Sequence, residues 1–240
     1  MLKPKSNARL FTLTSLVVFP AFILVNDYLA GITSFLAVIF GSHYFLLRDK
    51  SALKCSQSER IFISSLFLLV ASGVISALVN GVGFDKVGRL IILVWAIPIY
   101  FWYRNNAVSE GAIWIGLVCG AVGAGFVALY QMLISDLFGR AGGVTNPIMF
   151  GDIALVMGFM SMVGSGWFVK QHRWGAVLPV LGLVFALLAS GLSLSRGGWL
   201  AIPPVIILFA WCSRAHISKL KLLSALILMI VAISLIYQVP

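Results

Sequence analysis

Residues 112–134 read A-I-W-I-G-L-V-C-G-A-V-G-A-G-F-V-A-L-Y-Q-M-L-I. These 23 residues hold no charged side chain, and a helix needs about 20 apolar residues to cross the hydrocarbon of a bilayer. The apolar run is continuous, without the period-two alternation of a barrel strand. Gly116 and Gly120 stand at GxxxG spacing and Ala124 extends the small face, a pattern that lets two helices approach closely. The segment reads as a membrane helix whose packing face is marked in its own sequence.

Working outward, eight further stretches have the same character: about 10–25, 28–47, 61–78, 90–103, 148–169, 176–192, 199–211 and 222–237. The stretches 90–103 and 199–211 are short. Pro98, Pro203 and Pro204 are expected to kink or shorten them, with neighbouring helices re-satisfying the freed carbonyls. Across all 240 residues, 61% are hydrophobic and 10% charged, and mean hydropathy is +1.06. A soluble domain carries about 25% charged residues, so a soluble, disordered or disulfide-rich secreted chain is excluded. The expected fold is all-α, one polytopic membrane domain over 1–240 with about nine transmembrane helices. The first stretch follows Lys3, Lys5 and Arg9 and so mimics a signal peptide. No small-residue cleavage site follows it, and it reads as a retained anchor.

The net charge of +10 resembles that of a nucleic-acid binder until the charges are placed. With the N-terminus in the cytoplasm, the inner segments are the N-tail, 48–60, 104–110, 170–173 and 214–221. They hold thirteen of the 17 basic residues against Asp49, Glu59 and Glu110, which is the whole surplus. The outer segments balance Lys86, Arg89, Arg140 and Arg196 against Asp27, Asp85, Asp136 and Asp152. That asymmetry is the positive-inside pattern. It explains the charge by topology, removes nucleic acid as a partner, and puts the end of the ninth span outside.

The informative residues are therefore the outer cations. The loop 139–152 reads G-R-A-G-G-V-T-N-P-I-M-F-G-D. Its glycines can turn backbone N–H groups inward as anion nests do. Asn146 suits a helix cap and Pro147 the first helical position. With Arg140 and the helix N-terminus, the loop reads either as a phosphate cradle or as an interfacial turn with an ordinary cap. The segment 193–200 reads S-L-S-R-G-G-W-L. Arg196 near hydrocarbon needs an anion or water, and its fork fits two phosphate oxygens. Ser195 adds a hydroxyl. A snorkelling arginine beside an anchoring Trp199 is the plainer reading. Lys86 and Arg89 act either as orientation anchors or as helpers in an anion site. Asp152 is expected to pair with Arg140 or Arg196, or to handle a proton. His43, His172 and His216 map to the inner side, out of reach of an outer site. Cys55, Cys119 and Cys212 form no zinc or disulfide pattern and are expected to pack. No metal or cofactor is expected, and no P-loop, Rossmann fingerprint or Ser-His-Asp order is present.

The outer R-A-x-G-x-x-N-P-x-x-F loop (Arg140, Ala141, Gly143, Asn146, Pro147, Phe150) and the later S-R-G-x-W-L (Ser195, Arg196, Gly197, Trp199, Leu200) resemble the O-antigen ligase and O-antigen polymerase superfamily. The resemblance covers most of the chain in hydropathy and two short segments in sharp matches. It implies metal-independent glycosyl transfer at the periplasmic face of a bacterial inner membrane. The donor would be a glycan on undecaprenyl diphosphate, and the acceptor lipid A–core, another lipid-linked glycan or a protein. Arg196, Arg140, Lys86 and Arg89 would hold the donor diphosphate, supported by Ser195, Asn146 and Asp152; no catalytic residue is assigned. Family members continue into a large outer loop with a second arginine and a histidine general base, so the chain is expected to be the N-terminal portion of a longer enzyme. Two other classes of function compete with this one. A carrier of lipid-linked or anionic substrate would place polar groups at mid-span and use paired broken helices, and a non-catalytic membrane fragment would bind no diphosphate lipid.

Overall fold

The computed structural model describes residues 6–47, 55–81, 92–106, 110–134 and 139–213. Among them the chain is all-α. The helices are α1 (Ser6–Phe22), α2 (Asp27–Leu47), α3 (Gln57–Val79), α4 (Ala96–Asn105), α5 (Gly111–Leu133), α6 (Pro147–Val163), α7 (Ser165–Gln171), α8 (Val177–Leu192) and α9 (Arg196–Ser213), with a 3₁₀ turn at Ile92–Trp95. Three of these are long and apolar enough to cross a membrane: Asp27–Leu46, Gln57–Val79 and Gly111–Leu133. A fourth crossing results if α6 and α7, bent by 48° at Gly164, count as one span. The apolar helices Arg9–Phe22, Val177–Leu192 and Gly197–Leu208 are shorter. The stretch 222–237 lies outside the described residues.

Helix α5 is the hub. It packs against α1, α6 and α8, and α6 in turn packs along α8. The buried face of α5 is made of small residues, including Gly116, Gly120, Ala121, Ala124 and Ala128. A Cβ on Gly116 would come within 2.7 Å of the Leu16 carbonyl of α1, and one on Gly120 would strike the Pro20 carbonyl and Met157. The GxxxG face read from the sequence is thus the seat of α1. The opposite side of α5 receives α8, where Gly125 lies under Phe185. Beyond α1, α2 and α4 form a second layer. Phe11, Phe40, Tyr44 and Trp102 cluster there with ring centroids 4.5–6.4 Å apart. The Trp102 indole donates to Thr12 Oγ1 at 3.1 Å, and Ser15 shares a 2.8 Å hydrogen bond with Tyr103. Buried hydroxyls of α1 are satisfied from α4 in this way, as an apolar surround demands.

Three expected spans take a different form. Within the 90–103 stretch, Ile92–Trp95 is a 3₁₀ turn followed by α4, because Pro98 offers no N–H and sits best within the first helical turn. The 148–169 stretch breaks at Gly164–Ser165, a Gly/Ser pair of the sort at which helices kink. The 199–211 stretch is longer than expected: α9 starts at Arg196 and runs through Pro203 and Pro204. Cys119, expected to pack, is exposed on α5, and Cys55 is half-buried.

Candidate functional site

The C-terminal end of α8 is the structural centre of the site. A helix leaves its last carbonyls without intrahelical partners, and here each of six successive carbonyls has a donor. Ala189 O accepts from Ser193 N, Gly191 O from Leu194 N, and Leu192 O from Ala141 N at 3.0 Å. Ser190 O accepts from the Ser193 hydroxyl at 2.7 Å. Ser193 O accepts from Arg140 Nε at 2.9 Å and Leu194 O from Arg140 Nη2 at 3.2 Å. The guanidinium therefore forks over the negative end of α8, where a cation is favoured. Leu194 adopts a left-handed φ of 53°, the conformation that commonly terminates a helix, though usually at glycine. This turn reverses the chain into α9, whose first residue is Arg196.

The loop that carries Arg140 is clamped from α5. Gln131 Oε1 accepts from the N–H groups of both Gly142 and Gly143 at 2.9 Å, and Gln131 Nε2 donates to Gly143 O at 3.0 Å. Gly143 has φ +56°, and a Cβ there would meet the fully buried Phe150 and the Leu24 carbonyl. Thr145 N closes the turn onto Gly142 O. Asn146 then caps α6, its Oδ1 accepting from Met149 N at 2.9 Å, with Pro147 as the first helical residue. The two N–H groups that could have faced an anion, Gly142 and Gly143, instead meet the Gln131 amide.

On the far side of the turn, Ser195 donates to Asp152 Oδ1 at 2.9 Å. Ser193 and Ser195 are buried against Gly151 of α6, at which any Cβ would strike the Ser193 hydroxyl. Ser190 Oγ is buried with no hydrogen-bond partner among the described residues. Of the two arginines expected to pair with Asp152, Arg140 is turned to the α8 carbonyls and the side chain of Arg196 lies outside the described residues; the carboxylate accepts from Ser195. Asp152 packs against Gly198 in the first turn of α9, where a negative charge is favoured. From Asp152, Gly197 and Gly198 an apolar groove of about 840 Å³ runs between α6 and α9, past Leu155, Phe159 and Ile202 to Val163 and Ser165.

Of the residues singled out in the sequence, Arg140, Asn146, Asp152, Ser195 and the backbone of Arg196 come together around this one turn. The side chain of Arg196 lies outside the described residues, as do Lys86 and Arg89. Gln131 was missed, although it is the lone amide side chain in the 112–134 run. A second polar junction joins α3 to α4. Glu59 caps α3 together with Ser56, and its Oε1 accepts from Arg104 at 2.7 Å and from the Tyr100 hydroxyl at 2.5 Å. Glu59 and Arg104 come from segments the charge pattern assigned to the inner side.

No family model matches the chain, and no solved structure matches it. A protein of Haemophilus influenzae, named only "Uncharacterized protein", is 25% identical over 191 residues, covering 79% of this chain and 47% of the relative. The chain thus spans about half the length of the curated relative it matches. The likeness carries no activity with it.

Proposed function

We propose that the chain is the donor-binding part of an O-antigen ligase-type glycosyltransferase, with nine spans and a cytoplasmic N-terminus, in a bacterial inner membrane. It transfers a glycan from undecaprenyl diphosphate to lipid A–core or to another glycan at the periplasmic face. The observation that carries this reading is the junction of the two segments behind the family resemblance. They lie 53 residues apart in sequence and are joined by Arg140 on the Ser193 carbonyl, at the head of an apolar groove. A polyprenyl diphosphate is a dense anion on a long apolar tail. Arg196, at the positive end of α9, is the ligand for the diphosphate, with Arg140, Lys86 and Arg89 adding positive charge nearby. Gly197 leaves the backbone accessible, and the α6–α9 groove takes the tail. As the bond from the sugar to the diphosphate breaks, fixed cations stabilise the leaving group without reorganisation.

The test is Arg196→Ala in cells carrying the full-length parent. Glycan attachment is expected to fall by about 10²-fold or more, the usual scale for losing one preorganised electrostatic contact, and attachment at the normal level refutes the role. A carrier of lipid-linked anions is the alternative, favoured by the 48° break between α6 and α7, since carriers bind substrate at interrupted helices. Substrate-dependent flux in proteoliposomes without glycan transfer selects that reading.

A further inference from the structure

We infer that Arg140 is a positioning residue, which sets the backbone turn presenting Arg196 and does not itself grip phosphate. The inference rests on the proposal that Arg196 meets the donor diphosphate, and it assigns the two arginines different work. Arg140 directs Nε and Nη2 at the carbonyls of Ser193 and Leu194, the residues two and three places before Arg196. Between them stands Leu194 in a left-handed conformation, which a non-glycine residue holds only when its surroundings fix it. The surroundings here are the Arg140 fork on one side and, on the other, Ser195 bonded to Asp152. The loop behind Arg140 is held in turn by Gln131, through three hydrogen bonds to Gly142 and Gly143. The chain of support runs from α5 through Gln131, the loop and Arg140 to the turn that opens α9.

Lysine separates the two roles. A phosphate ligand tolerates lysine, which binds phosphate as a point charge. A planar fork over two carbonyls does not. The experiment uses the full-length protein in membrane vesicles and a sugar-free polyprenyl diphosphate bearing a photoreactive diazirine. A reporter, Gly197→Cys, is placed where an added side chain has open space and is read by its rate of labelling with a membrane-impermeant maleimide. Arg140→Lys and Arg140→Gln are expected to lower probe capture alike, by roughly tenfold, as loss of charge-assisted hydrogen bonds implies, and both to raise reporter labelling. Arg196→Ala is expected to lower capture and leave labelling unchanged. Gln131→Leu, which alters no charge, is expected to match the Arg140 variants, and it serves as the test if they fail to accumulate. Capture retained by lysine but lost with glutamine makes Arg140 a phosphate ligand and overturns the inference, leaving the proposed function standing. Labelling unchanged in all three loop variants also overturns it. Wild-type protein that captures no probe, with labelling raised by Arg140→Lys, sinks the donor reading and sustains the positional role.

Discussion

Gly143 combines a φ of +56° with a position where a Cβ would lie 2.5 Å from the Phe150 ring and 2.7 Å from the Leu24 carbonyl. Both the backbone conformation and the space are closed to any other residue. Gly143→Ala is expected to lower stability by about 1–3 kcal/mol, the usual range for strain and overpacking, measured as thermal unfolding of the purified protein in detergent. Gly31 of α2 is the contrast, since a Cβ there meets nothing within 4 Å. Gly31→Ala is expected to leave stability unchanged or raise it by about 0.4–1 kcal/mol, by restricting the unfolded chain. Gln131→Leu removes the acceptor of two backbone N–H groups, at about 1–3 kcal/mol for each donor left unsatisfied. A melting point unmoved by that change would mean that the loop does not depend on the clamp. The signs of these three substitutions follow from the immediate surroundings of each residue.

Between helices, α1 meets α5 through glycine. Gly120 lies beneath the Pro20 carbonyl and the Met157 methyl, so Gly120→Val drives α1 outward and lowers stability by several kcal/mol, beyond the usual 1–3 kcal/mol for overpacking, because backbone stands in the way. Loss of a disulfide engineered across the α1–α5 contact is the measurement. This interface was legible in the sequence, since a GxxxG in an uncharged run states both the helix and the face that packs. The end of α8 was not. Three of its six carbonyls, those of Leu192, Ser193 and Leu194, are satisfied by a loop some fifty residues away in sequence, and no local pattern says which donors will arrive. The glycines of that loop indicated backbone N–H groups turned inward. Their partner is a glutamine hidden in an apolar helix, where an anion was one of the two readings of the loop. The break at Gly164 was legible in principle from V-G-S-G, but hydropathy averages across such a pair. Helix α3 shows the limit of hydropathy differently. Beyond its polar first turn it is largely apolar and mostly exposed, joined to α4 by the Glu59 bonds to Arg104 and Tyr100. Glu59→Gln is expected to speed amide hydrogen exchange in the first turn of α3, where the carboxylate also closes the capping box, and to leave exchange in α5 unchanged.

For the whole molecule, the charge pattern and the helix packing make one joint statement about sidedness. The loop with Arg140 and the turn before Arg196 meet at one end of α5, α6 and α8. The segment with Lys170, Arg173 and Trp174 joins α6–α7 to α8 at the other end, and Arg173 stacks on Trp174 with its guanidinium carbon 5.5 Å from the ring centre. A tryptophan under an arginine suits an interface with anionic headgroups. With Cys55, Cys119 and Cys212 replaced, a single cysteine at Gly197 is expected to react with an impermeant maleimide added outside intact cells, and one at Lys170 only after the membrane is opened. Removing the charge of Lys170 and Arg173 together weakens the bias that holds this hairpin in place, so a fraction of the Gly197→Cys population is expected to become inaccessible from outside. Reaction of Lys170→Cys in intact cells would invert every segment from 139 to 213. The groove between α6 and α9 would then open its polar end toward the cytosol, where a periplasmic transfer has no use for it.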